Sequence, residues 1–439
     1  MVVSDLNSRY FENGFGQPVI LTGFHTWYNI QDGGPTDPPG AFDWDEYLSA
    51  LVSYGCNFTK LWASMETAQL WADPFGGVAN PQYFSPPRYE RTGPGNAADG
   101  GLKFDLDQIN QDFLDRLYDR VAACAANGIY VTIQLFQGWQ IEDKGGSDQP
   151  FDYHPYNAAN NINSIDGDQD NDGDGTETHR SGAGNVTLSY QEDLVEEIVT
   201  LLNGFDNIIW EISNEDTGHA DNTTWQEAMI SHIASVEAGL SKQHPIGRTV
   251  SYPNGSNAAL DASAAAWVSY SNRDEVDGTK VSMSDTDHIE GITSDHEWVW
   301  ISLCNGHGGL WYMDEWANEV YGTGDRRNDA TYQTIRANLG YARELVDLLD
   351  DLAGMTPQAA LCTTGYCLAK DHATQAEYIC FQSGSGAFDL DLSTATGTLN
   401  IRWLRCSDGT IDTGSTASGG DVRTLTPPWA GAVVAYVFH

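Results

Sequence analysis

From residue 18 to about residue 352 the chain alternates short β-rich runs with amphipathic helical stretches, which limits it to a parallel sheet whose crossovers are helices. Eight runs stand out: Val19–Gly23, Phe58–Trp62, Tyr130–Phe136, Ile208–Ile212, Thr249–Tyr252, Trp267–Tyr270, Val281–Ser284 and Leu310–Met313. Between them apolar residues recur at helical spacing, as in Phe113, Leu114, Leu117, Tyr118 and Val121, or Leu194, Ile198, Leu201 and Leu202. A last long helix is expected over about Ala330–Leu352. Eight such units close on themselves, so an α/β fold, a (β/α)8 barrel, is predicted over residues 1–354. After Gly354-Met-Thr-Pro357 the chain becomes rich in Gly, Ser and Thr and alternates in polarity, as in Phe388-Asp-Leu-Asp-Leu392 and Leu399-Asn-Ile-Arg-Trp-Leu404. That pattern predicts a small antiparallel β-sandwich over 355–439.

Charge narrows the range of partners. Sixty-two acidic residues against 21 basic ones give a formal net charge of -41. A surface this negative argues against nucleic acid or anionic membrane as partner, because phosphate binding needs a basic face. Self-repulsion of that size is screened within a few Å near 1 M salt, so the composition suits saline surroundings. Disorder is the other reading of such charge, and it conflicts with 41% hydrophobic residues and 14 Trp. No run of about 18 apolar residues is present to span a membrane. The Met1-Val-Val-Ser-Asp5 start lacks the regions of a signal peptide, so the chain is expected either in the cytoplasm or as a secreted protein in its mature form, and the second suits the rest better. Of seven cysteines, Cys362 and Cys367 bracket a short turn and are candidates for a bridge. Cys56, Cys124 and Cys304 are expected as buried thiols.

Function is expected at the carboxyl ends of the strands, where barrel active sites lie. Two connections, 63–105 and 137–188, are too long for simple turns and follow strand ends, so both should build that mouth. The fourth run ends in Trp210-Glu-Ile-Ser-Asn-Glu215, a carboxylic acid beside an amide, which suits cleavage of a glycosidic bond. Glu211, four residues earlier on the same face, is expected deeper and paired with Lys60. His25, Trp27, Trp62, Trp139, Trp311 and Trp316 fall at or just beyond strand ends. Aromatic faces stack on the C–H faces of sugars, although any one Trp is more often core. His154, His219 and His288 are candidate polar contacts. In Asp166-Gly-Asp-Gln-Asp-Asn-Asp-Gly-Asp-Gly-Thr-Glu177, carboxylates alternate around Gly173, as in oxygen-rich loops that wrap Ca²⁺. Asp168, Asp170, Asp172, Asp174 and Glu177 are the candidate ligands, in a structural role. A solvated acidic loop is the plainer alternative.

The segments Leu21-Thr-Gly-Phe-His-Thr-Trp27, Leu135-Phe-Gln-Gly-Trp139, His154-Pro-Tyr-Asn-Ala-Ala-Asn-Asn161, Glu211-Ile-Ser-Asn-Glu215, Ser284-Asp-Thr-Asp-His288 and Met313-Asp314 together resemble a cellulase-like group of clan A glycoside hydrolases. The carboxyl-terminal part resembles the sandwich, named a collagen-binding domain, that often follows such barrels. The resemblance implies that Glu215 is the general acid/base and that Asn214 contacts the substrate 2-hydroxyl. It also implies a nucleophile at the end of the seventh strand, where this chain has Asp285, with Asp287 two residues on, in place of the clan's Glu. Asp314 and Glu315 are further candidates for that role. Lys60 is the nearest basic residue to the position where the clan keeps Arg, and a point charge positions a carboxylate differently from a planar fork. An Asp is one methylene shorter than Glu, so retention or inversion depends on how closely the backbones approach. The expected activity is hydrolysis of a β-linked polysaccharide or oligosaccharide, with an endo-β-glucanase as first expectation. An exo-acting side-chain glycosidase of apiosidase type and a glycan-binding protein without activity are the alternatives. No redox or nucleotide cofactor is implied.

Overall fold

The computed structural model describes residues 1–68, 81–144, 149–182, 184–216, 220–252, 255–289, 295–314, 316–318 and 324–439. His219 and Glu315 lie outside the described residues. Eight parallel strands close a barrel: Leu21–His25, Phe58–Trp62, Tyr130–Gln137, Ile208–Asn214, Ile246–Thr249, Trp267–Ser269, Val281–Asp285 and Gly309–Met313. Closure is made where the eighth strand pairs with the first, from Gly309 beside Leu21 to Met313 beside His25, and Gly23 meets Phe58.

Two strands start two or more residues away from the sequence expectation. The first begins at Leu21, because Pro18–Val19 belongs to a three-stranded sheet with Val2–Val3 and Phe11–Glu12. The fifth runs three residues earlier than predicted, at Ile246–Thr249. Its Gly247 and Arg248 do not read as strand, yet each has a packing reason. A Cβ on Gly247 would fall 1.9 Å from the Trp267 ring, so glycine makes room for that indole. Arg248 turns outward and donates to Gln226 Oε1 and Glu227 Oε1, both at 2.8 Å.

Inward side chains stack in layers along the barrel axis. Leu21, Phe58, Ile209, Trp267, Val281, Met283 and Trp311 form an apolar plug, joined by Phe11 of the amino-terminal sheet. Lys60, Glu211 and Asp285 each lie two residues beyond a member of that plug on their own strands, so the barrel core turns from apolar to ionic in one step. The outward side chains, among them Leu61, Ile133, Ile208, Trp210 and Ile212, pack under helices such as Gln111–Ala126 and Leu188–Leu202.

The two long connections are partly ordered by each other. Tyr89–Asn96 and Leu102–Ile109 form an antiparallel hairpin, and Phe104 exchanges backbone hydrogen bonds with Asn160 and Ile162 at 2.8 and 2.9 Å. The carboxyl-terminal region is a six-stranded antiparallel sheet faced by the pair Phe388–Asp391 and Val422–Leu425. Its central strand Val433–Phe438 alternates between two cores. Val433, Ala435 and Val437 pack inside the sandwich, whereas Val434 and Tyr436 join the barrel core. Sheet and barrel are tied further where Asn338 donates to the Cys406 carbonyl at 2.9 Å and accepts from Trp300 Nε1 at 2.8 Å. Cys362 and Cys367 are not bridged: all seven cysteines are buried free thiols, and the Cys367 sulfur instead faces Cys380 on the adjacent strand at 3.7 Å.

Candidate functional site

Strand order brings His25, Lys60, Glu211, Asn214, Glu215, Asp285, Asp287 and His288 to one end of the barrel. Lys60 is its fixed point. Its ammonium lies 2.8 Å from Glu211 Oε1, donates to Asn214 Oδ1 at 2.7 Å and stands 3.7 Å from Asp285 Oδ2, with both ion pairs fully buried. It also sits 4.5 Å from the centre of the Trp62 ring. Burial opposes its charge, but Glu211, Asp285 and Asp287 outweigh burial and hold Lys60 above its ordinary range, so it stays protonated. The expected pairing of Glu211 with Lys60 is what the structure shows. Even so, burial pushes the Glu211 carboxyl up to about 7.

Asp285 is fully buried. Trp62 Nε1 can only donate, so at 3.2 Å it makes His25 Nδ1 the acceptor, and the imidazole proton sits on Nε2, 3.1 Å from Asp285 Oδ1. The Asp287 backbone N–H donates to the same oxygen at 3.0 Å. Burial alone would raise Asp285, but His25 and Lys60 overcome it and hold the carboxyl well below the usual range. Asp287 is placed differently. It is partly exposed and accepts from Asn214 Nδ2 at 3.1 Å. His288, whose charged form burial disfavours, bridges Ser269 Oγ at 2.9 Å and Asn214 Oδ1 at 3.1 Å. The Asn214 amide is therefore fixed by Lys60, His288 and Asp287 together.

Glu215 follows with φ of 44°, a left-handed conformation rare outside glycine and common at functional sites. The backbone is pressed there by Gly138, whose amide donates to the Asn214 carbonyl at 2.9 Å. Burial and then the nearby negative charge of Asp287 push the Glu215 carboxyl up to about 8. A group so placed is protonated at neutral pH and lies close enough to Asp287 to feel its charge.

The aromatic ring expected at the mouth is mostly not there. Trp311 is corrected to the apolar plug, stacked on Phe58 at 4.2 Å, because its side chain points down the barrel axis. Trp316 packs outside the barrel against Phe24 at 5.7 Å and under Arg336 at 4.9 Å. Trp139 is buried, and Trp62 serves His25. Only Trp27 of the set is half-exposed, edge-on to Trp62 at 6.5 Å. Asp314 forms a buried two-pronged ion pair with Arg336 at 2.6 and 2.8 Å, which anchors the last helix. His154 is buried and held neutral by desolvation, accepting from the Tyr156 amide at 3.1 Å.

Of the acidic loop, the carboxylates of Asp168, Asp170 and Glu177 come within 4.8 Å of one another. Asp172 and Asp174 are used otherwise, accepting from the backbone amides of Asp174 and Thr176 at 3.1 and 2.9 Å. A contact absent from the sequence reading is His179 Nδ1 to Asp216 Oδ1, at 2.8 Å, on the residue that follows Glu215. Only the adjacency of Asp216 to Glu215 could have signalled it.

No family model and no curated protein matches the sequence. Among solved structures, a glycoside hydrolase family 5 protein from Bacteroides vulgatus aligns with a TM-score of 0.62 and 13% identity, covering 100% of this chain and 93% of that one. A second, described as a glycoside hydrolase, aligns with a TM-score of 0.61 and 12% identity, covering 100% and 96%. What this chain shares with them is the fold, a closed eight-stranded parallel barrel with antiparallel sheets at its carboxyl end.

Proposed function

We propose that this protein is a glycoside hydrolase in which Glu215 protonates the leaving oxygen and Asp287 is the second carboxylate. The observation that carries the reading is a carboxyl raised to about 8, beside an amide whose Nδ2 holds a second, partly exposed carboxylate at 3.1 Å. Protonation of the leaving oxygen by Glu215 is matched by attack of Asp287 on the anomeric carbon, and the resulting glycosyl-enzyme is hydrolysed with Glu215 now acting as base. The charge of Asp287 felt at Glu215 supports the short separation that retention needs. In this reading Asp285, fully buried with Oδ1 on His25, orients the Asp287 backbone through its 3.0 Å bond. This reverses the order in which the sequence ranked the two aspartates.

The exo-acting alternative is favoured by the burial of Trp62, Trp139, Trp311 and Trp316, which takes these four out of the aromatic platform expected of an endo-glucanase. The charge of -41 and the presence of only six Lys support action outside the cell in saline surroundings. The test is product release from a panel of β-linked oligosaccharides and polysaccharides in molar salt, with anomer analysis by NMR. Glu215→Gln should lower kcat by about 10²–10⁴-fold and abolish the loss of activity above pH about 8 that deprotonation of Glu215 causes. Asp287→Ala should be as inactive, and azide should restore turnover as a glycosyl azide. No release from any substrate would favour a glycan-binding protein. Azide rescue of Asp285→Ala in place of Asp287→Ala would return the nucleophile to Asp285.

A further inference from the structure

We propose that Asp168, Asp170 and Glu177 form a Ca²⁺ site that ties the long third connection to the residue following Glu215. Three carboxylates on one short loop are not enough to define a site, since acidic loops are common on this surface. The telling group is Glu177. It is 3% exposed, and neither of its carboxylate oxygens meets a hydrogen-bond donor in good geometry. Among the described residues its charge partner is Arg180, whose Nη1 lies 3.0 Å from Oε1. Oε2 is thus buried with no partner, which is costly, and a cation drawn to it and to the two aspartates supplies one.

Hard carboxylate oxygens, on a loop with Asn171 and Gly173 in left-handed conformations, suit Ca²⁺, which accepts irregular sets of carboxylates, backbone carbonyls and water. The alternation in the sequence suggested five ligands, and the structure reduces them to three. Asp172 and Asp174 hold the turn by accepting from backbone amides. Asp168 does both, accepting from the amides of Asp172 and Gly173 at 3.1 and 3.0 Å.

The position of Glu177 gives the site a consequence. It lies in the 3-10 turn Thr176–His179, and the last residue of that turn reaches Asp216 at 2.8 Å. His179 is stacked on Trp225 at 4.1 Å, and Asp216 is held from its other side by Gln226 at 3.1 Å. An ion that fixes Glu177 thereby fixes the imidazole that anchors Asp216, and with it the strained backbone of Glu215. This link to catalysis rests on the glycosidase reading, whereas the ion site does not.

The full chain, stripped with EDTA and dialysed into 1 M NaCl to suppress diffuse binding, is titrated with CaCl₂ by calorimetry. A single saturable site is expected, with a rise in Tm of about 3 °C at a hundredfold excess over Kd. Asp170→Asn and Glu177→Gln should weaken it at least about tenfold, a loss usual even for outer-shell partners of a metal. Asp172→Asn keeps its capping oxygen and should bind as the parent does. Hydrogen exchange at residues 213–216 should slow on Ca²⁺ addition in the parent and not in Asp170→Asn. Absence of saturable binding, or unchanged binding in Glu177→Gln, would overturn the site. An equal response to MgCl₂ would overturn its assignment to calcium, and equal weakening in Asp172→Asn would overturn the three-ligand set. Unchanged exchange at 213–216 would sever the link to Glu215, with or without enzymatic activity.

Discussion

Replacing Lys60 by Met tests the ionic layer directly. The ammonium lies 2.8 Å from Glu211 and 3.7 Å from Asp285, all three side chains fully buried, so its removal leaves carboxylate charge in a dry interior. Breaking a buried pair from one side costs about 3–5 kcal/mol. Unfolding entropy of about 2.1 cal/mol/K per residue gives about 0.9 kcal/mol/K for 439 residues, so Tm should fall by about 3–5 °C at pH 8. The pH dependence carries the stronger test. Glu211 sits at about 7 in the folded protein against an ordinary 4.5, so between those values the folded state binds more protons, and stability from this group rises as pH falls. Without Lys60 its carboxyl rises further, and at pH 5.5 it is neutral in the folded state. The deficit of Lys60→Met should then shrink to about 1–2 °C, the scale of a lost hydrogen bond. Adding Glu211→Gln to Lys60→Met should recover most of the loss at pH 8. Scanning calorimetry of the parent and both variants at pH 5.5 and 8 decides it. Equal losses at the two pH values, or a double variant weaker than Lys60→Met, would refute the reasoning.

Gly138→Ala should separate activity from stability. Its Cβ would fall 2.1 Å from the Glu215 carbonyl oxygen and 2.5 Å from the Asp216 Cα, both backbone, so the strand end must move. A displacement near 1 Å costs about 10²-fold in kcat/KM, while Tm should fall only a few degrees, and parental kinetics would contradict the placement of Glu215. Salt should also stabilise the fold: with a net charge of -41, Tm should climb as NaCl rises from 0.1 to 1 M and the screening length falls from about 10 to about 3 Å. A flat or falling Tm would show that surface repulsion is not what limits stability.

The barrel was legible because period-2 patterning and helical spacing both depend on burial, which a sequence records directly. The fifth strand was misplaced for a reason of the same kind. Gly247 and Arg248 serve neighbours, Trp267 inside and Glu227 outside, that lie far along the chain or on another element. The Lys60–Glu211 pair was legible from alternation, and the end of the fourth strand is what drew attention to Asn214 and Glu215. Alternation gives the face of a residue but not its depth, and depth separated the two aspartates and the tryptophans. Trp311 and Asp285 are paired across adjacent strands, yet one fills the apolar plug and the other joins the ionic layer. Strand tilt in a barrel sets that difference, and no local pattern reports it. Asp285 ends the seventh strand with its Oδ1 on His25, whereas Asp287, in the following turn, faces Asn214. The reactive carboxylate is thus expected one turn beyond the strand, where the chain has cleared the ionic layer that holds Asp285.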